Sequence, residues 1–183
     1  MIPKWTKSDI VSITVQFLLF DRFSNMCLAN CLEPMRAANT LVGREFYRWR
    51  FLSLSGETVA SSSGLPILPH AELDPKRPCD FLFVVASYDF LKHDTADCRR
   101  RLRACSKSCK VMVGLDTGPW LMASAGLLAG RRATLHWETL DSFSERFLNI
   151  DTVRHRVVKD NNRIICAGAM SAFDLTRSMI EDH

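Results

Sequence analysis

The chain has 183 residues, 47% of them hydrophobic and 24% charged, with a formal net charge of +4 at pH 7. That is enough apolar material for one buried core and too little polar bias for intrinsic disorder. No apolar run reaches the ~18 residues of a membrane span, Lys4, Lys7 and Asp9 do not form a signal-peptide pattern, and the seven cysteines show neither CxxC nor zinc-ligand spacing. A single cytoplasmic domain with reduced thiols, no metal, no cofactor and no membrane partner is expected.

In chain order, Val11 to Phe20 is an almost continuous apolar, β-branched run, the pattern of a central parallel strand buried on both faces. Ser24 can cap a helix running to about Thr40. Pro34 inside it removes a backbone hydrogen bond and should bend it, which would put Glu33 at an interruption. Tyr47 to Ser53 reads as a strand, Ser55-Gly56-Glu57 as a turn, and 61–78 as a loop-rich section dense in Ser, Pro and Gly. Asp80 to Ala86 is a second apolar strand. The run Arg99-Arg100-Arg101-Leu102-Arg103 falls in a helix from Thr95 to Lys107 whose apolar stripe is Cys98, Leu102 and Cys105. With no aromatic residues interleaved, those arginines read as a solvated face rather than a nucleic-acid platform.

Lys110 to Val113 then leads into Gly114-Leu115-Asp116-Thr117-Gly118-Pro119-Trp120, a strand that turns sharply into a helix with a carboxylate at the turn. Such elbows push the turn residue out over the end of a sheet, beside helix N–H groups. The following helix carries Trp120, Leu121, Ala123, Ser124, Leu127 and Leu128, with Gly130 placed as its C-cap. Ala133 to Leu135 reads as a short strand, His136-Trp137-Glu138 follows it, and Thr139 can cap a helix containing Leu140, Phe143 and Phe147. Val153 to Val158 and Arg163 to Ala167 flank Asp160-Asn161-Asn162 as a hairpin, and a last helix starts near Met170. Alternating strands and helices indicate an α/β fold, an open sandwich whose ligands sit at the carboxyl ends of the strands. Glu33, Asp116 and His136-Trp137-Glu138 are the segments that can converge there.

The chain resembles the ThiJ/PfpI superfamily, related to class I glutamine amidotransferases, and within it the amidase-like N-terminal domain of AraC-type transcriptional regulators. The resemblance rests on 32–39 (Leu-Glu-Pro-Met-Arg-Ala-Ala-Asn), the elbow with its helix, 130–138 (Gly-Arg-Arg-Ala-Thr-Leu-His-Trp-Glu), and 166–169 (Cys-Ala-Gly-Ala) leading to Phe173-Asp174-Leu175. It implies a flavodoxin-like three-layer sandwich with a mostly parallel central sheet. The elbow sequence looks like that of regulators responding to glycine betaine, carnitine, arginine or related cationic metabolites.

In the enzymatic and redox-active relatives the elbow residue is a cysteine, with a glutamate of the first helix beside it and a histidine beyond the next strand. By that resemblance Glu33 matches the glutamate, His136 the histidine, and Asp116 stands in the cysteine position. A carboxylate cannot supply thiolate chemistry, and two carboxylates in one pocket call for a raised pKa or a neutralising cation. The resemblance therefore implies a non-catalytic pocket for a small cationic metabolite. Glu33 and Asp116 would carry charge, Trp120, Trp137 and His136 would give shape with Tyr88 a further aromatic near the same strand ends, Glu138 would join the lining, and the elbow at Thr117 and Gly118 would orient any carboxylate on the ligand. Taken singly, Trp120 and Trp137 read more readily as core or interface aromatics, His136 as a structural histidine and Glu138 as a surface carboxylate. Cys27 and Cys31, an i, i+4 pair on the first helix, could line the same cleft, although buried free cysteines are most often core.

The expectation is a non-enzymatic ligand-sensing and dimerisation domain over residues 1–183, a homodimer whose regulator meets DNA only through a following helix-turn-helix domain that this chain lacks. The alternatives are a ThiJ/PfpI-type hydrolase, lyase or glyoxalase, and a dimerisation module with a vestigial pocket.

Overall fold

A computed structural model describes residues 12–183; the expected start of the first strand at Val11 lies outside them. Strand β1 (Ile13–Leu19) is buried at every position but Thr14, as its apolar run predicts. Helix α1 (Asn25–Val42) opens on Ser24, whose Oγ accepts from the Cys27 N–H at 3.2 Å. It closes on Gly43, whose φ of 70° is the left-handed C-cap conformation. The helix runs unbroken across Pro34, because Cys27, Leu28, Cys31 and Met35 form one buried stripe that holds both halves against the sheet. Glu33 therefore does not stand at an interruption.

The remaining sheet strands are β2 (Tyr47–Ser53), β3 (Ala71–Glu72), β4 (Cys79–Ala86), β5 (Cys109–Asp116), β6 (Val157–Asp160) and β7 (Arg163–Cys166). Among the described residues they form one seven-stranded sheet in the order β6-β7-β5-β4-β1-β2-β3. Every neighbouring pair is parallel except β6 and β7. That hairpin turns at Asn161, with φ 52°, and is shorter than expected because pairing begins at Val157. The 61–78 section is less irregular than its composition suggests: Pro66–Ile67 pairs antiparallel with Val59–Ala60, and β3 lies at the sheet edge.

Helices cover both faces. Helix α1 and α5 (Ala169–Glu181) pack on one, with Phe17 and Phe83 of adjacent strands 4.8 Å apart beneath them. On the other lie α2 (Ala96–Cys105), α3 (Gly118–Ser124) and α4 (Leu140–Arg146). This is the flavodoxin-like three-layer sandwich. Helix α2 contributes Cys98, Leu102 and Cys105 to the core, and its arginines are occupied. Arg99 pairs with Asp94 at 2.7 Å, Arg100 with Asp97, and Arg101 with Glu72 at 3.0 Å and Asp97 at 2.9 Å. Helix α3 stops well before Leu128. The Gly126 N–H bonds to Ala123 O and the Leu127 N–H to Met122 O, a Schellman closure around Gly126 at φ 76°. The terminating glycine is thus Gly126, not Gly130.

The sheet order reverses at β1: β2 and β3 lie to one side, β4, β5 and β7 to the other. Neighbouring β1 and β4 lead into helices on opposite faces, which opens a crevice at their carboxyl ends.

Candidate functional site

The elbow is built by close backbone packing at that crevice. Asp116 ends β5 with φ 60°, a conformation costing a residue with a Cβ roughly 1–2 kcal/mol. Three bonds hold it: Thr117 N–H to Ala86 O at 3.0 Å, Thr117 Oγ1 to Ser87 O at 2.8 Å, and His136 N–H to Asp116 O at 3.0 Å. Two glycines make the fit possible. A Cβ at Gly118 would stand 2.2 Å from Val84 O, and one at Gly114 2.9 Å from Met122 Sδ. Pro119 suits the first turn of α3, where its missing N–H is not needed.

The Asp116 carboxyl is only 8% exposed. Burial raises its pKa; the Ser87 hydroxyl and His136 pull the other way, as does the Cys27 thiol, while Glu138 adds to the rise. The α1 residue beside it is Cys27, whose Sγ lies 3.9 Å from Asp116 Oδ2. Burial, then the Asp116 charge, pushes the Cys27 thiol far above the ordinary range. Burial also takes Cys31 up to about 12 and Cys166 up to about 11. Burial of this kind disfavours the thiolate, which is the nucleophilic form.

Asp116, Thr117, His136, Trp137 and Glu138 come together around an open cleft of about 380 Å³. Ser87, Tyr88, Asp89, Phe90 and Thr139 complete its lining, and no lysine or arginine lies among them. His136 Nδ1 is 3.8 Å from Glu138 Oε2, and its ring centroid is 5.7 Å from that of Trp137, which is 72% exposed. Asp89, at φ 55°, is tied to Lys92 at 2.8 Å and Arg22 at 3.6 Å. A second cleft of about 450 Å³ shares His136 and Trp137 as a wall and adds Arg154, His155, Arg156 and the start of α5.

Three sequence-predicted residues, Glu33, Trp120 and Gly118, do not line the cleft. Glu33 lies six residues beyond Cys27 on α1, about 9 Å farther along the axis and roughly 120° around it. It projects into solvent and pairs with Arg36 at 2.6 Å. Trp120 is buried among Phe90, Phe143 and Phe147, with centroids 5.3–5.8 Å away, so it is a core aromatic. Its Nε1 is buried without a hydrogen-bond partner among the described residues. Gly118 packs under the elbow and lies outside the cleft lining. The Thr117 N–H is spent on Ala86, so it is not open to a ligand carboxylate. Within the 87–90 segment only Tyr88 is marked from sequence, as an aromatic near the strand ends; Ser87, Asp89 and Phe90 are not, although their place directly after a buried strand is a signal that could have found them. Among the described residues no group of three or more His, Cys, Asp or Glu side chains is placed to hold a metal ion.

Residues 14–182 match the DJ-1/PfpI family. The chain belongs to that family. Its DJ-1/PfpI domain is 37% identical over 164 residues to the HTH-type transcriptional regulator CdhR of Pseudomonas aeruginosa, covering 90% of this chain and 48% of the regulator. It is 35% identical over 170 residues to the HTH-type transcriptional regulator GlxA of Rhizobium meliloti, covering 92% and 52%. The isonitrile hydratase of Pseudomonas putida is 26% identical over 136 residues, covering 68% of this chain and 54% of that enzyme. The chain thus spans about half the length of the regulators it matches. In fold it is similar to an AraC family transcriptional regulator from Pseudomonas putida, at TM-score 0.79 and 24% identity over 92% of this chain and 91% of that one. Drosophila melanogaster DJ-1beta superposes at TM-score 0.77 with 18% identity, over 94% and 90%. Against the pattern of an elbow cysteine beside a helix glutamate, this DJ-1/PfpI domain exchanges the two groups: the carboxyl is at the elbow and the thiol, Cys27, comes from the helix.

Proposed function

We propose that this DJ-1/PfpI domain is the sensing part of a transcriptional regulator and binds a small cationic metabolite in the 380 Å³ cleft. The observation that carries the reading is the lining itself: Asp116, Asp89 and Glu138 beside the aromatic faces of Tyr88, Phe90 and Trp137, with no lysine or arginine among them. A guanidinium or quaternary ammonium group gains charge pairing there and roughly 0.5–2 kcal/mol per aromatic face. His136 and Thr117 complete the wall, and a ligand with an anionic end would extend it past His136 toward Arg154 and Arg156. Binding switches the regulator only to the extent that affinity differs between two arrangements of the domain. In the same reading the domain forms a homodimer, and DNA is contacted by a helix-turn-helix domain of the full-length regulator, as the regulator relatives suggest.

The test is titration calorimetry with glycine betaine, carnitine and arginine against the wild type, Asp116→Asn and Trp137→Ala. At least one ligand should bind, and each substitution should weaken it by about tenfold, a loss of ~1.4 kcal/mol. Equal affinity of wild type and Asp116→Asn would remove Asp116 from the site. The similarity to an isonitrile hydratase supports a second reading, an enzyme of the same superfamily. That reading requires turnover of an isonitrile, amide or α-oxoaldehyde that is lost in His136→Ala.

A further inference from the structure

A second polar site lies around the midpoints of β1 and β2 and extends toward the amino end of the sheet at Thr14, Arg77 and Pro78. Gln16 of β1 stands beside Arg50 of β2 in the parallel register, as Thr14 does beside Arg48 and Leu18 beside Leu52, so these side chains share one face. Gln16 is 5% exposed, yet its side-chain amide makes no hydrogen bond among the described residues. It lines two adjoining hollows of about 120 and 470 Å³, together with Arg50 and Arg77.

The larger hollow is lined by Arg48, Arg50 and Arg77 and by no carboxylate, whereas the smaller also carries Glu72 and Asp74. Arg50 is half-buried, and neither it nor Arg77 has a carboxylate within ion-pair distance among the described residues. Of the two acids lining the smaller hollow, Glu72 pairs with Arg101 at 3.0 Å and Asp74 accepts from the Lys76 N–H at 2.9 Å. A half-buried guanidinium beside an amide with no partner in the protein leaves donors open to the hollow. A bound oxyanion would satisfy both.

We propose that these hollows form an anion site for a small phosphate-bearing molecule. Arg50 and Arg77 present guanidinium forks and Gln16 a further N–H donor, which is more donor capacity than one carboxylate requires and matches the oxygens of a phosphoryl group. The larger hollow has room for a small organic group attached to it. The site shares no residue with the cleft at Asp116, so it stands whether or not the cationic-ligand reading does.

The experiment is calorimetry and thermal melting of the whole 183-residue chain with inorganic phosphate and pyrophosphate, at constant ionic strength, with acetate as the carboxylate control. Saturable binding is expected for phosphate and pyrophosphate and much weaker binding for acetate. Arg50→Gln and Arg77→Gln should each weaken it by about tenfold or more. Gln16→Glu, which offers Arg50 an internal carboxylate, should abolish it without loss of fold, while Asp116→Asn should leave it intact. Absence of saturable phosphate and pyrophosphate binding, undiminished binding in Arg50→Gln, or equal binding of acetate would overturn the proposal.

Discussion

At the carboxyl ends of the strands a nearly buried carboxyl, Asp116, sits under aromatic side chains and a second acid, whereas from the middle of β1 toward the amino ends a buried amide, Gln16, sits between arginines. The two regions are also made differently. The carboxyl-end cleft depends on the backbone: a reversal of strand order, a left-handed Asp116, and glycines that let α3 close on β4. The hollow at Gln16 needs none of that, only side-chain alternation on two parallel strands brought into register. Sites of the first kind should fail when packing is disturbed, sites of the second only when charge is changed.

The largest effect expected from this contrast is at Gly118. A Cβ there meets the Val84 carbonyl at 2.2 Å, and Val84 lies in a central strand that cannot move aside. Gly118→Ala should destabilise the domain by about 3 kcal/mol, near the upper end of overpacking costs. Gly43→Ala, with φ 70° and no neighbour within 4 Å, should lose only the roughly 1–2 kcal/mol of a left-handed residue. Urea unfolding of both variants measures the difference. Equal losses would mean that backbone conformation, and not the contact with β4, limits the elbow.

Next in size is the pH dependence of Asp116. Burial puts its native pKa above the unfolded value, so the folded state holds the extra proton between the two. Stability is then fully present below the ordinary carboxylate range and falls as pH rises through the native pKa, by at most about 1.4 kcal/mol per pH unit. Asp116→Asn should flatten that slope and be the more stable protein at neutral pH. Unfolding free energies at pH 4 to 7 decide it, and parallel curves for the two proteins would show that the carboxyl is not held protonated.

The same comparison separates what was legible in the sequence from what was not. Local signals were legible: the Ser24 cap, the start of α2 at Thr95, the bounds of β2, the strand-to-helix elbow. Reading Glu33 as the partner of Asp116 fails on helical geometry, since the α1 face meeting the elbow is the one carrying Cys27. Trp120 was placed by its nearness in sequence to the elbow, but at the start of α3 it turns into the cluster with Phe143 and Phe147. The 87–90 segment joins the cleft only because β4 lies next to β5, a fact of strand order. Gln16 and Arg50 are far apart in the chain and in unremarkable contexts, and only register makes them neighbours.

The thiols offer a smaller, kinetic check on the carboxyl end. All seven cysteines are buried, and Cys27 beside Asp116 is held protonated by burial and by that neighbour's charge. Labelling by an aromatic disulfide reagent should therefore be slow in buffer for every thiol and should accelerate with denaturant in step with unfolding. A single fast-reacting thiol that maps to Cys27 would restore a nucleophile to the elbow and strengthen the enzymatic reading.

The smallest expected effect lies at Gln16, toward the amino end, and has the opposite sign. Replacing a polar group that has no hydrogen bond to the protein by an apolar one of similar size forfeits no such bond and costs little. Gln16→Leu should therefore leave the domain as stable as the wild type or up to about 1 kcal/mol more stable, while phosphate binding weakens. A loss of stability would mean that the amide supports the sheet, and its lack of a partner would no longer point to a ligand. The analogous exchange at the carboxyl end, Asp116→Leu, should not behave this way. There the carboxyl accepts from the Cys27 thiol at 3.9 Å, and its backbone is held left-handed, which a γ-branched residue tolerates less well than Asp. One end of the sheet should accept an apolar side chain and the other refuse it, because the protein gives the Gln16 amide no partner among the described residues, whereas it gives the Asp116 carboxyl one in Cys27.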